Sequence, residues 1–180
     1  FARGMLLTEH RRCYDEIISY CNKLAYKDLL QPKKGGSKNG ILPPMLFVET
    51  MGESLKENSS RINPDEVNLI VKWLQTNHEA IVEYFQSLEN ETSKKLRLAD
   101  IVGIISPFKE QAQLLQDMLH SVGFDTAQMS IGTVHTFQGA ERPVILFSST
   151  YGSEDKSGSY FFDKGVNVLN VAVSRAKESF

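Results

Sequence analysis

Apolar residues fall into two rhythms along the chain, one helical and one extended, and they alternate. Residues 8–28 carry Ile17, Ile18, Cys21, Leu24 and Ala25 at helical spacing with Thr8 as a cap, which predicts a first helix. The polar, glycine-rich and basic stretch 31–44 predicts a flexible connector. Met45 to Glu49 is a short apolar run that predicts a buried strand, and polar residues 51–62 predict a loop. Asn63-Pro64-Asp65-Glu66 is a helix start: Asn63 can cap, Pro64 suits the first turn, and Glu66 can close a capping-box-like arrangement. Val67, Ile70, Val71, Leu74, Ile81, Val82 and Phe85 then mark one helical face, with Trp73 at the core or its rim.

Residues 87–98 are polar and charged and predict a second exposed connector. Ile101–Ile105 is a second apolar run ending at Ser106-Pro107. Phe108, Ala112, Leu115, Leu119 and Val122 predict a helix that Gly123 closes. Ser130–Val134 and Val144–Ser148 predict two more strands, the latter apolar enough for burial on both faces. A Gly/Ser/Asp-rich loop at 151–165 precedes a last helix from Asn167 to about Ala176. Strands alternating with helices predict an α/β fold with a mostly parallel sheet, whose ligands bind at the carboxyl ends of the strands.

Composition changes this picture little. The 180 residues are 41% hydrophobic and 23% charged, ordinary for one globular domain, and the net charge of −2 argues neither for nor against a nucleic-acid partner. Cys13 and Cys21 lie eight apart without a CxxC or a nearby His. They are expected to be free thiols in the cytoplasm or another reducing compartment, with no zinc site. No apolar run has the length of a membrane span. Both ends are abrupt, and the chain is expected to be a segment of a longer one.

Three segments carry candidate chemistry. Ser106-Pro107-Phe108-Lys109 takes a strand into a helix with Pro107 at the first helical position; the free amides of Phe108 and Lys109, with Ser106 as a further donor, suit a backbone phosphate, though Ser106 as a simple cap fits as well. Thr133-Val134-His135-Thr136-Phe137-Gln138-Gly139-Ala140-Glu141 places hydroxyls, an imidazole, an amide, a glycine and a carboxylate in one turn. Asn170 to Lys177 holds Arg175 on the last helix, where an arginine could reach a phosphoryl group or simply pair with an acid.

In this order the segments resemble motifs IV, V and VI of superfamily 1 helicases. TVHTFQGAE and NVAVSRAK are similar to motifs V and VI of the branch containing the nonsense-mediated-decay helicase and senataxin, and Thr8-Glu9-His10-Arg11-Arg12 resembles the Gln-Tyr-Arg motif that opens its second motor domain. The Asn63–Glu66 helix start matches a further element of that branch, and the resemblance covers most of residues 6–180. It implies a RecA-like P-loop NTPase fold, here a single C-terminal motor domain over 1–180. It also implies an N-terminal motor domain elsewhere that supplies the phosphate loop and the magnesium ligands for ATP and Mg2+.

By that resemblance Arg175 is the arginine finger and Arg11 the second γ-phosphate arginine. Glu141, Gly139 and Gln138 shape the nucleotide loop, and His10 lies beside the base. Thr133, Ser106, Pro107 and His135 lie along single-stranded DNA or RNA. The chain departs from the pattern at His10 (Tyr in the family), Glu9 (Gln) and His135 (often Asp). The implied activity is ATP-driven helicase or translocase work; the alternatives are a non-catalytic binding module and the motor part of a nuclease-fused enzyme.

Overall fold

A computed structural model describes residues 8–38, 40–57, 60–90, 94–137, 140–152, 155 and 167–180. The predicted helix over 8–28 is three pieces. A two-residue strand β1 (Glu9–His10) comes first, then helix α1 (Asp15–Cys21), then a π-helical turn at Asn22–Tyr26. The helical backbone is continuous through Tyr26 and ends at left-handed Lys27 (φ 52°), beyond which the Asn22 side-chain amide exchanges two 2.9 Å hydrogen bonds with the backbone of Leu30. That folds the chain back so that β2 (Gln31–Pro32) pairs in parallel with β1. The basic stretch beyond it is tied to α1, with the amides of Gly35 and Ser37 bonded to Asp15 and Glu16.

The expected strand at Met45–Glu49 does not form. Only Met45 is bridged, through Leu46 N to Phe180 O and Phe180 N to Pro44 O, both 2.9 Å. Phe47 is 86% exposed, so the apolar run packs along a surface. The expected loop at 51–62 contains β3 (Leu55–Glu57) and β4 (Ser60–Ile62), which pair antiparallel.

Helix α2 (Pro64–Ser87) starts where its sequence dictates, with Asn63 Oδ1 accepting the Glu66 amide at 3.1 Å and Pro64 in the first turn. Short α3 (Leu98–Ile101) leads into β5 (Val102–Ser106), buried along its whole length. Helix α4 (Lys109–Ser121) follows, and Gly123 stands in the left-handed region at φ +97° just beyond its end. β6 (Ser130–Thr133), β7 (Arg142–Phe147), α5 (Asn167–Val173) and β8 (Ala176–Ser179) complete the described elements. The predicted loop at 151–165 lies largely outside the described residues.

Among the described residues the main sheet runs β6-β5-β7-β8, every pairing parallel. Side chains alternate across it. Ile105 and Ile145 pack with Ile17, Ile18, Cys21, Ala172 and Val173 from α1 and α5. Val102, Ile104 and Val144 pack with Val67, Leu74, Leu115 and Leu119 from α2 and α4. Helices therefore cover both faces, the α/β arrangement the alternating pattern predicts. Trp73 is half-buried against the α2/α4 side.

The link from β6 to β7 has no described helix. It crosses the α1/α5 face of the sheet, held down by Phe137, which is 2% exposed. A Cβ on Gly103 of β5 would stand 2.8 Å from the Phe137 ring, so the glycine is what lets the link lie flat on the central strand.

Candidate functional site

Parallel strands divide the candidate residues between two edges. Glu141 immediately precedes β7 and Arg175 immediately precedes β8, so both sit at the amino edge of the sheet. Ser106 and Thr133 end β5 and β6 and are register partners at the carboxyl edge. Of the described candidates, Ser106, Pro107, Thr133 and His135 therefore lie where a strand ends, whereas Glu141 and Arg175 lie where one begins. Arg175 is also not on a helix: α5 stops at Val173, and Arg175 lies in the turn into β8.

One side chain organises the amino edge. The guanidinium of Arg142 donates to Ala99 O at 2.9 Å, Glu141 O at 2.8 Å and Ser130 Oγ at 2.7 Å. Its own amide donates to Arg175 O at 3.1 Å. The planar fork fixes the Glu141 carbonyl, and the Arg142 amide fixes that of Arg175, so the two backbones are held close together. The Glu141 carboxylate faces two cations, with Arg12 Nε at 2.7 Å and Lys177 Nζ at 3.6 Å. Neither was selected from the sequence. Arg12 is masked by its neighbour Arg11, and Lys177 by the ordinary look of a lysine near a chain turn.

The segment after β1 is stitched onto this edge. Cys13, two residues past Arg11, directs its thiol to Ser174 O at 3.8 Å, one residue before Arg175. Tyr14 N donates to Lys177 O at 3.0 Å. The structure therefore brings the Arg11 and Arg175 segments together. Arg11 itself is 69% exposed and meets Glu9 at 2.9 Å, a surface pair of little energetic weight that leaves it ready to turn elsewhere.

His10 Nε2 accepts the Cys13 amide at 3.3 Å, which puts the proton of the neutral ring on Nδ1. Burial first, then the charge of Arg12, holds its pKa below the usual 6.5 against the pull of Glu141. Arg175 Nε is buried with no hydrogen-bond partner, an undischarged donor on a residue whose backbone is bonded to Arg142. Such an edge suits a polyanion that also offers hydroxyls.

At the carboxyl edge Ser106 is 1% exposed. Its oxygen lies 3.1 Å from Thr150 Oγ1 and accepts the Phe108 amide at 3.2 Å. The expectation that Phe108 keeps a free amide therefore fails, as does the placing of Pro107 in the first helical turn: Phe108 is the N-cap and Pro107 is buried before it. Thr133 is half-buried, and its carbonyl takes the amide and hydroxyl of Thr136 at 3.0 and 2.7 Å. His135 is exposed on that turn. Gln138 and Gly139 lie outside the described residues.

A family model described as an AAA domain matches residues 2–180. Among curated proteins, the chain is 42% identical over 192 residues to "Probable RNA helicase armi" of Drosophila melanogaster, covering 92% of this chain and 15% of that protein. It is 31% identical to "Putative helicase MOV-10" of Gallus gallus, covering 92% and 19%. It is 28% identical to "Helicase SEN1" of Saccharomyces cerevisiae, covering 77% and 6%. The chain thus spans less than a fifth of the length of each of these relatives. With an all-parallel sheet between two helical layers and these matches, the chain belongs to the AAA domain family of superfamily 1 helicases, as a C-terminal, RecA-like domain.

Proposed function

We propose that this chain is the second motor half of an ATP-dependent helicase or translocase, and that its two sheet edges divide the labour. The amino edge faces nucleotide: Arg175 and Arg11 meet the γ-phosphate, Glu141 accepts the ribose hydroxyls, and neutral His10 lies beside the base. Gln138 and Gly139 are assigned to the same nucleotide contact by the resemblance. The observation that carries this reading is the meeting of the Arg11–Cys13 segment, Glu141 and Arg175 at one edge, with a donor on Arg175 still unmatched. Magnesium ligands belong to the other motor domain. Among the described residues no group of three or more His, Cys, Asp or Glu could hold a metal ion.

Charge supplies the mechanism. The γ-phosphate draws Arg11 and Arg175 across the cleft and closes it, and cleavage removes the attraction. Arg12 begins on Glu141 and is free to move to phosphate as the ribose takes its place. The chain contains no GxxxxGK[ST] sequence, so we infer that it does not hydrolyse ATP by itself.

The carboxyl edge faces a single strand of DNA or RNA, with Thr133 and His135 nearest the backbone and buried Ser106 and Pro107 shaping the turn beneath it. RNA is the first strand to test, since the relative at 42% identity is named a probable RNA helicase. A match to a human protein named "DNA replication ATP-dependent helicase/nuclease DNA2", 26% identical, favours a nuclease-fused motor as the second reading. No described helix is long and apolar enough to cross a membrane.

The test is ATP turnover by the full-length protein with and without single-stranded RNA or DNA. Strand-stimulated turnover is expected, and none from these 180 residues alone. A full-length protein whose turnover ignores every strand removes the proposal.

A further inference from the structure

A glutamate in the first turn of a helix ordinarily bonds back to the amide of its own cap residue. In α2 that amide, Asn63 N, is taken instead by Gln111 Oε1 at 2.7 Å. Glu66, 8% exposed, reaches across to the chain leaving β7. Its two oxygens accept the amides of Ser149 at 2.9 Å and Thr150 at 2.7 Å. Gln111 reinforces the same exit through Ser148 Oγ at 2.9 Å.

Thr150 stands at φ +72°, a left-handed conformation that a β-branched residue rarely adopts. Such a conformation persists only where its surroundings over-determine it, and the Glu66 carboxylate does so here. The same Thr150 places its Oγ1 3.1 Å from Ser106 Oγ, at the exit of β5. Ser106 is the register partner of Thr133 on β6. One continuous chain of bonds therefore runs from the first turn of α2 to the exits of β7 and β5, beside β6. Ser106 and Thr150 are fully buried, so they set the spacing of these exits and leave direct contact to other groups.

We propose that Glu66 and Thr150 are positioning residues for single-strand binding: the Glu66 carboxylate holds Thr150 in its left-handed turn, and the Thr150 hydroxyl holds Ser106, fixing the strand-facing edge. The inference rests on the reading of that edge as the nucleic-acid track. It assigns to α2 a task at the strand and none at the nucleotide.

The test uses the full-length protein and poly(U), reading the concentration that half-saturates ATP turnover alongside the KM for ATP. Glu66→Gln replaces one accepting oxygen with a donor facing an amide, and is expected to raise the half-saturating concentration roughly tenfold or more. Thr150→Gly adopts the same backbone freely but lacks the hydroxyl, so it is expected to raise that concentration several-fold, with Thr150→Ser restoring it. KM for ATP and turnover without RNA stay unchanged in all three. The glycine and serine pair decides the matter even where Glu66→Gln does not fold. A stimulated wild type whose Thr150→Gly form half-saturates at the same concentration overturns the inference alone, as does a KM for ATP that rises in step. A wild type unresponsive to any single strand overturns the helicase reading first, and the inference with it.

Discussion

Gly103→Ala isolates the contact that lays the β6–β7 link on the sheet. The added methyl would stand 2.8 Å from Phe137 Cε1 and 3.0 Å from Ile145 Cδ1, with both neighbours at 2% exposure or less. Neither has open space to retreat into. Forcing a methyl into a filled core costs about 1–3 kcal/mol. Alanine also restricts the unfolded chain, which returns about 0.4–1 kcal/mol. The clash wins, and a net loss of about 1–2 kcal/mol is expected, or roughly 2–8 °C in Tm for a chain of this size. Trp73, the single tryptophan, sits half-buried in the opposite core and reports urea unfolding without touching the mutated site. Phe137→Leu in the same chain removes the ring edge that the methyl meets. The double variant should then lose less than the sum of the two singles, by about 0.5 kcal/mol or more. Additive losses, or a Gly103→Ala protein more stable than the wild type, would refute the packing argument.

Three further outcomes follow from local chemistry. Asn63→Ala loses the cap of α2 and should cost about 1 kcal/mol, whereas Asn63→Ser keeps an acceptor and removes the buried, partnerless Nδ2, so its urea midpoint should lie above that of the alanine form. Burial raises the Glu66 carboxyl above its ordinary 4.5, against hydrogen bonds from Thr150, Ser149 and Ser148. A raised folded pKa means that the folded state holds the proton more tightly, so the stability of wild type relative to Glu66→Gln should fall as pH rises from below 4.5 through the folded pKa and then level off; a difference that grows with pH contradicts this. Burial pushes the Cys13 thiol up to about 11 and that of Cys21 to about 12, so a thiol reagent at pH 8 should label both only as fast as the chain unfolds, and rapid labelling of the folded protein would show the thiols to be accessible.

Much of the fold is legible because local and tertiary signals agree. Asn63-Pro64 opens a helix by its own chemistry, and the apolar run through Ile104 and Ile105 has no stable place except a central strand. Disagreement appears where a distant partner decides. Leu24 and Ala25 do lie in the helical stretch, but Glu9 and His10 before it pair with Gln31 and Pro32 as a two-stranded ribbon. Met45–Glu49 reads as a strand, but only Met45 finds a ladder partner, in Phe180.

The candidate site shows the same division. Glu141, Arg175 and His10 stand in recognisable motifs, and the structure gathers their segments at one edge. Arg12, Lys177 and Arg142 act through distances to residues well separated in sequence, such as Ala99 for Arg142, which no spacing encodes. Ser106 stands at a recognisable strand exit, yet its hydroxyl is also a joint to Thr150, 44 residues away, which no local pattern foretells.

The central claim is that Arg175, held by the turn before β8, meets the γ-phosphate from the edge opposite the strand. The most direct measurement is ATP turnover and single-strand affinity of the full-length protein carrying Arg175→Ala. The account predicts turnover lower by a factor on the order of 10³ or more with strand affinity unchanged. Undiminished turnover, or strand binding lost together with turnover, would contradict it.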